Sequence, residues 1–483
     1  MAKLTDLPAE LIRIIVEQVQ RYSPRREHSK YQANYETLPG VTWPEGELQI
    51  VEDLRCYRLY AEPSTGLPSN PLVVLSLVCP TLRRCAQEML FREVKLESPW
   101  EAYLFLTALK GNHGVHKNGT RLGRLSAIDT TCLNTPARHV RSLNFKLWPD
   151  RLLGKPGCSS NGKGGGSAVC GVLRNCPLLE SIIIDTAFFS RCKEPIMEAL
   201  ASKQLIKQFT ILKNDSTSPL ELQWLVDEMD DRLFSRWDML EEVELAGLSS
   251  RSFKTLANIH NPKPVLNRAL QRITLTDFDL DETELYSLLT SSRKSIRTLE
   301  IVEPSPRLDR MGLFRILRDC ASPDLKVLWI NLDERWHPLP KPLGADGLDD
   351  PARNPYLCDI LFVSSFRKLQ SLFIDGYMAS PKFLTLLPQS IVDFEWRCCS
   401  YEAVQFAAEV FNWRNNADKI DPPPEPPKGF EGRGPWLPNL ESFIMEDYYV
   451  SFSSCLLSKT RCARVFTDEA DSKSLPTNEI EPL

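Results

Sequence analysis

No stretch of this 483-residue chain is long and apolar enough to cross a bilayer. The longest apolar run, Leu72 to Cys79, holds eight residues including Ser76, whereas a membrane helix needs about 20. The basic-then-apolar stretch of a secretory leader is also missing, since MAKLTDLPAE carries acidic residues and Pro8 in its place. Neither sign of charge dominates: 58 basic against 63 acidic residues leave a formal charge of −5. That balance excludes a global field for nucleic acid or anionic membrane and slightly favours basic partners. The expectation is a protein with no nucleic-acid or membrane partner, kept in the cytoplasm, the nucleus or both.

Chemical motifs are equally scarce. There are six histidines. His113 and His116 have a metal-compatible spacing, but GNHGVHKNG offers no nearby acidic or thiol ligand and reads as surface loop. Cys398 and Cys399 are adjacent in a strand-like window, so their side chains point to opposite faces and cannot share a tetrahedral site. The fourteen cysteines are scattered. Several, such as Cys170, Cys176, Cys320 and Cys358, lie in apolar segments and read as small buried hydrophobes of a reducing compartment. GCSSNGKG, at 157–164, approaches a phosphate loop. However, Gly164 stands where the magnesium-binding hydroxyl belongs, and a glycine run at 164–166 replaces the expected helix start. A flexible linker over Gly157 to Gly166 is therefore expected, with no nucleotide site. With no G-x-S-x-G elbow and no visible nucleophile–base pair, the reading is a non-enzyme without metal or cofactor.

What is present is a folding composition, 42% hydrophobic and 25% charged, with enough apolar surface to offset the entropy of ordering. At the N-terminus Asp6 can cap a helix with Pro8 and Glu10 in its first turn, running to about Val19. Leu7, Leu11 and Ile14 share one face, and Ile12, Ile15, Val16 and Val19 cover another. Two apolar faces need two partners, either within a single core or with one face covered by another chain. Asn70 and Pro71 begin a second helix through Leu72–Val78, Pro80 breaks it, and Leu82, Cys85, Ala86, Met89 and Leu90 recur at helical spacing. Three helices result.

The segments LTDLPAELIRIIVEQV and NPLVVLSLVCPTLRRCAQEMLFREVKL resemble an F-box of the form common in fungal proteins. The resemblance implies docking onto a Skp-type adaptor and, through it, a cullin scaffold. The matching positions are Leu7, Pro8, Leu11, Ile12, Ile15, Leu75, Val78 and Cys79. This chain departs from the family by an insertion at about 21–69, polar at first and then, in ELQIVEDLRCYRLY, able to form a strand or a short helix.

Downstream, a six-residue window with apolar positions 1, 4 and 6 recurs ten times: VRSLNF (140–145), LESIII (179–184), IKQFTI (206–211), LEEVEL (240–245), LQRITL (270–275), IRTLEI (296–301), LKVLWI (325–330), LQSLFI (369–374), IVDFEW (391–396) and LESFIM (440–445). The starts lie 22 to 49 residues apart, and helical segments such as Glu282–Ser291 and Gly312–Asp319 fall between them. The fold expected is α/β: a helical F-box over 1–97, a helical linker or cap over 98–135, and an irregular leucine-rich-repeat solenoid over 136–460. The solenoid would be built of strand–loop–helix units on a curved parallel sheet, with an ordinary α/β domain as the alternative. Insertions are expected at about 154–167, 333–356 and 412–436, the last containing the proline-rich DPPPEPPKGFEGRGPW. Residues 461–483 read as an acidic tail with little structure.

Together the two resemblances imply the substrate-recognition subunit of a cullin-type ubiquitin ligase, with transfer chemistry left to other subunits. A repeat scaffold not assembled into a ligase is the alternative. Strand alternation puts window position 5 on the face opposite the core, and two large aromatics, Trp329 and Phe373, fall there in consecutive windows. With Glu300, Asp375, Asp393, Glu395 and Glu446 around them, the surface suits a protein target that combines apolar anchors with Lys or Arg. The alternative is that the proline-rich insertion or the tail covers it.

Overall fold

In the computed structural model the residues described are 8–22, 71–97, 99–110, 136–146, 166–185, 188–214, 221–250, 270–320, 322–332, 357–362, 366–376, 378–416, 437–447 and 462–466. They fall into two units, Met1–Ile206 and Lys207–Leu483. His113, His116, the 157–164 segment and the 333–356 insertion lie outside the described residues.

Among the described residues the first unit opens with the helices α1 (Ala9–Tyr22), α2 (Pro71–Val78) and α3 (Pro80–Arg92). The first turn of α1 is seated on Pro8, whose carbonyl accepts from the N–H groups of Leu11 and Ile12 at 3.0 and 3.1 Å. The helix runs a turn beyond the expected end at Val19, so residues 21–22 of the anticipated insertion are helical. Between α2 and α3 the extended Cys79 is an N-cap, its thiol accepting from Leu82 N–H at 3.4 Å. Pro80 follows in the first turn, where a missing N–H costs nothing. Ile12, Val16, Leu72, Leu82 and Ala86 form the core of this bundle, with Leu75, Cys79, Cys85, Met89 and Leu90 packed against it.

β1 (Glu93–Leu96), α4 (Pro99–Lys110), β2 (Ser142–Phe145), α5 (Gly166–Asn175), β3 (Ser181–Ile184) and α6 (Lys193–Ala201) complete the unit. β1, β2 and β3 are parallel, with Val94, Leu143 and Ile182 in register and Leu96, Phe145 and Ile184 beside them. FREVKL, at 91–96, is thus a further window, read from sequence only as the end of the helical module. Parallel pairing requires a crossover between strands, and helices supply it. Helix α5 begins at Gly166, so the anticipated 154–167 linker gives way to a helix at its end. A Cβ on Gly166 would stand 2.7 Å from the Cys192 Cβ, so the glycine run ends where a helix has to pass close to a neighbour.

In the second unit β4 (Gln208–Ile211), β5 (Glu242–Ala246), β6 (Arg272–Thr276), β7 (Thr298–Val302), β8 (Val327–Asn331), β9 (Ser371–Asp375), β10 (Asp393–Cys399) and β11 (Ser442–Asp447) pair in sequence order, all parallel. Helices α7 (Val226–Arg232), α8 (Glu282–Thr290), α9 (Arg310–Cys320), α10 (Leu357–Phe362) and α11 (Tyr401–Asn416) alternate with them. Asp281 starts α8 with a reciprocal cap: its carboxylate accepts from Glu284 N–H at 3.0 Å, and Glu284 accepts from Asp281 N–H at 2.9 Å. Helix α11 continues to Asn416, five residues into the stretch expected to be insertion.

Every apolar residue at positions 1, 4 and 6 of the ten windows is buried, none more than 5% exposed. One backbone bond recurs with this pattern. The N–H at position 2 of each window donates to the carbonyl at position 2 of the preceding one, from Glu241 on Lys207 through Gln271, Arg297, Lys326, Gln370 and Val392 to Glu441, at 2.7–2.8 Å. A second device recurs after the strands. Gly247, Asp277, Glu303 and Gly376, each two positions past its window, have positive φ, and each donates its N–H to a carbonyl of the next strand, on Thr276, Val302, Asn331 and Arg397, at 2.8–3.1 Å. At these four positions a left-handed turn lets the chain leave the sheet while still bonding to it; Leu332, at the same position after its window, makes the corresponding bond to Asp375 at 3.3 Å without one.

The tail departs from expectation. Cys462–Phe466 forms β12, antiparallel to β11, with Val465 opposite Phe443. CARVF has the β-prone residues to add a strand, and the free edge of β11 supplies the bonding groups that a composition-based reading of the tail ignores.

Candidate functional site

Two surfaces stand out. The first is on the helical bundle. Because Ile12 and Val16 face the core, the opposite side of α1 leaves Leu11 (46% exposed), Ile14 and Ile15 open, and α2 leaves Val74, Leu77 (70%) and Val78 (63%) open. Short helices of this length hold together only by burying apolar surface. Six exposed aliphatics on two of them are therefore costly unless they are covered. Of the residues matched by resemblance, Pro8, Leu11, Ile15 and Val78 are exposed and Leu75 and Cys79 are half-buried, while Leu7 lies outside the described residues. Ile12 is corrected: at 1% exposure it is a core residue of the bundle, since a helix face that meets α3 cannot also meet a partner. Ile15, expected on the Ile12 face, is on the open one. Ile14, Val74 and Leu77 are exposed residues that the resemblance did not supply.

The second surface is the helix-free face of the second unit's sheet. Across it, Thr210, Glu244, Thr274, Glu300, Trp329, Phe373, Glu395 and Ile444 stand in one register row, as the position-5 column requires. The Trp329 and Phe373 rings meet at 4.1 Å between centroids. Trp329 is open, 39% exposed, but Phe373 is 6% exposed, because the Arg397 guanidinium lies over its ring at 5.2 Å. Phe373 is thus the support beneath Trp329 and Arg397, and not the exposed anchor expected of it.

The same face carries Glu242, Arg272 and Asp393 one row to one side, and Asp375, Arg397 and Glu446 one row to the other. Both arginines are engaged. Arg272 Nη2 donates to Glu300 at 3.2 Å; Arg397 Nε donates to Glu395 at 2.6 Å and stands 3.9 Å from Glu446. Asp375 accepts from Cys398, whose thiol is pushed up to about 12 by burial and by that carboxylate. Cys398 has positive φ and sits where the register with β11 slips. The half-exposed Cys398 and buried Cys399 are therefore set by a bulge as well as by alternation.

Elsewhere the ionisable groups serve packing. The Lys203 ammonium, nearly buried, donates to the Cys176 carbonyl at 3.1 Å just past the end of α5, and burial pulls its pKa down. Asp359 accepts from Ser380 N–H at 2.9 Å and from the Ser380 hydroxyl, and burial pushes its carboxyl up. Burial also raises the thiols of Cys170, Cys176, Cys320 and Cys358, which makes them poor nucleophiles. Among the described residues no group of His, Cys, Asp and Glu is placed to hold a metal ion, and no helix is long and apolar enough to cross a membrane. No family model matches the chain, and no curated protein matches it.

Proposed function

We propose that the chain is the target-receptor subunit of a cullin-type ubiquitin ligase. In this reading the α1–α2 surface docks a Skp-type adaptor, and a leucine-rich-repeat body formed by the strand–helix repeats presents a protein target. The observation that carries the reading is the open aliphatic patch of Leu11, Ile14, Ile15, Val74, Leu77 and Val78. It lies on helices whose sequence resembles an F-box, and its aliphatic composition suits the apolar centre of a protein interface. The repeats support the other half of the proposal, because stacked strand–helix units expose a broad sheet face fit for a macromolecule. In this proposal the chain bridges and carries out no bond chemistry.

The test is co-purification of the full chain with a Skp-type adaptor and a cullin, alone and with Leu77→Asp and Val78→Asp together. Capture of both proteins by the wild type and its loss in the variant, with circular dichroism unchanged, is the expected result. A wild-type chain that captures neither adaptor nor cullin refutes ligase assembly and leaves a repeat scaffold.

A further inference from the structure

We infer that the helix-free sheet face of the second unit binds an unphosphorylated, lysine- and arginine-bearing extended segment of a partner protein, one of whose cations lies against Trp329. This deepens the reading above by naming the kind of target, and rests on that reading only for the fate of the target once bound.

The argument starts from charge. From β4 to β11 the three rows of this face hold seven carboxylates, on Glu242, Glu244, Glu300, Asp375, Asp393, Glu395 and Glu446, against the guanidinium groups of Arg272 and Arg397; a third arginine, Arg464 of β12, stands in register with Ile444 at the far edge, four strands from Trp329 and beyond Glu395. The Arg272 and Arg397 guanidiniums already pair with carboxylates of the same face. A phosphorylated segment lying across Glu300, Trp329 and Glu395 would therefore meet excess negative charge, with Arg272 and Arg397 already engaged, whereas ammonium and guanidinium groups meet carboxylates along the row. Nucleic acid is disfavoured on the same ground.

Geometry supplies the rest. Trp329 is the exposed aromatic of the row, held by Phe373 on one side. Phe373 is itself held by Arg397, so the indole is fixed before a ligand arrives. A rigid, half-exposed indole beside Glu300 attracts a cation by both its ring and its neighbour. With strands about 4.8 Å apart, Glu300 stands one strand from Trp329 and Glu395 two strands away on the other side. Cations on an extended chain, about 7 Å apart for alternate residues, reach all three with the play of long side chains.

The test uses the purified full chain without adaptor and a fluorescein-labelled peptide of alternating arginine and valine, followed by fluorescence anisotropy. Comparison probes are the same peptide with a central phosphoserine and one with glutamate for arginine. The basic peptide is expected to bind at physiological salt. Phosphoserine should weaken it at least about tenfold, and the glutamate peptide should not bind. Trp329→Ala, and separately Glu244→Gln with Glu395→Gln, should each weaken binding about tenfold, while adaptor capture stays as in the wild type. The carboxamide pair guards against a fold defect from removing the indole. Equal or tighter binding of the phosphopeptide or the glutamate peptide overturns the inference, as does wild-type affinity in both variants. Loss of adaptor capture with peptide binding intact counts against the ligase reading instead.

Discussion

Replacing Leu77 by alanine and, separately, Ile12 by alanine divides the bundle's outer patch from its core. Leu77 is 70% exposed and Ile12 1%, on helices that share one small core. Burying a whole leucine side chain is worth about 1.5–3 kcal/mol, so covering the seven-tenths of Leu77 still open should contribute about 1–2 kcal/mol to adaptor affinity. Leu77→Ala should then weaken the adaptor about 5- to 30-fold and leave folding within about 0.5 kcal/mol. For Ile12→Ala the lost burial and the cavity together cost about 2–5 kcal/mol, reduced by a few tenths for alanine's better helix propensity. A core built from five fully buried side chains has little in reserve. Native-state hydrogen exchange across α1 and α3 reads folding, and titration of labelled adaptor reads binding. Fast exchange in Leu77→Ala with protection intact in Ile12→Ala would refute this division of the helix faces.

Gly166→Ala places a Cβ 2.5 Å from the Cys192 sulfur and 2.7 Å from its Cβ; such overpacking costs about 1–3 kcal/mol, and lowered hydrogen-exchange protection in α5 checks it against the tolerance expected of a linker. Asp359→Asn addresses pH. Burial raises the folded-state pKa of Asp359 above its unfolded value, so its contribution is fully present below the ordinary carboxylate range and is lost as pH rises through the folded pKa. Wild type should therefore lose stability relative to the asparagine variant between acid and neutral pH in urea denaturation, and a constant difference across that range would contradict the assignment.

The windows were legible because one feature, apolar residues at positions 1, 4 and 6, encodes strand alternation and the turn into the sheet together, and burial selects it in every repeat. FREVKL has the same apolar positions, with Leu96 buried and Phe91 and Val94 half-buried, but its neighbours Met89 and Leu90 extend a helical pattern up to its edge, so periodicity alone does not separate the two. Position 5 falls on the expected face, yet the cover over Phe373 is invisible in its own window, because Arg397 belongs to the next strand and its stacking is a contact between windows. Ile12 misleads for a related reason. A helix with two apolar faces does not say which one its own chain covers until α3 is in place. The left-handed residues Gly247, Asp277, Glu303 and Gly376 share a position but not a residue type, which leaves no composition signal to find.

The reversed strand β12 has a colloidal consequence. Stacked parallel strands end in a row of unpaired N–H and C=O groups that another copy of the chain could extend, and then another, because the contact is head-to-tail and does not close on itself. β12 pairs with β11 from Ser442 to Glu446 and runs the other way, so the second unit does not end on the same directed edge that each of its inner strands offers its neighbour. Residues 462–466 thus replace a parallel edge with an antiparallel one, a change that constrains backbone direction far more than side-chain identity.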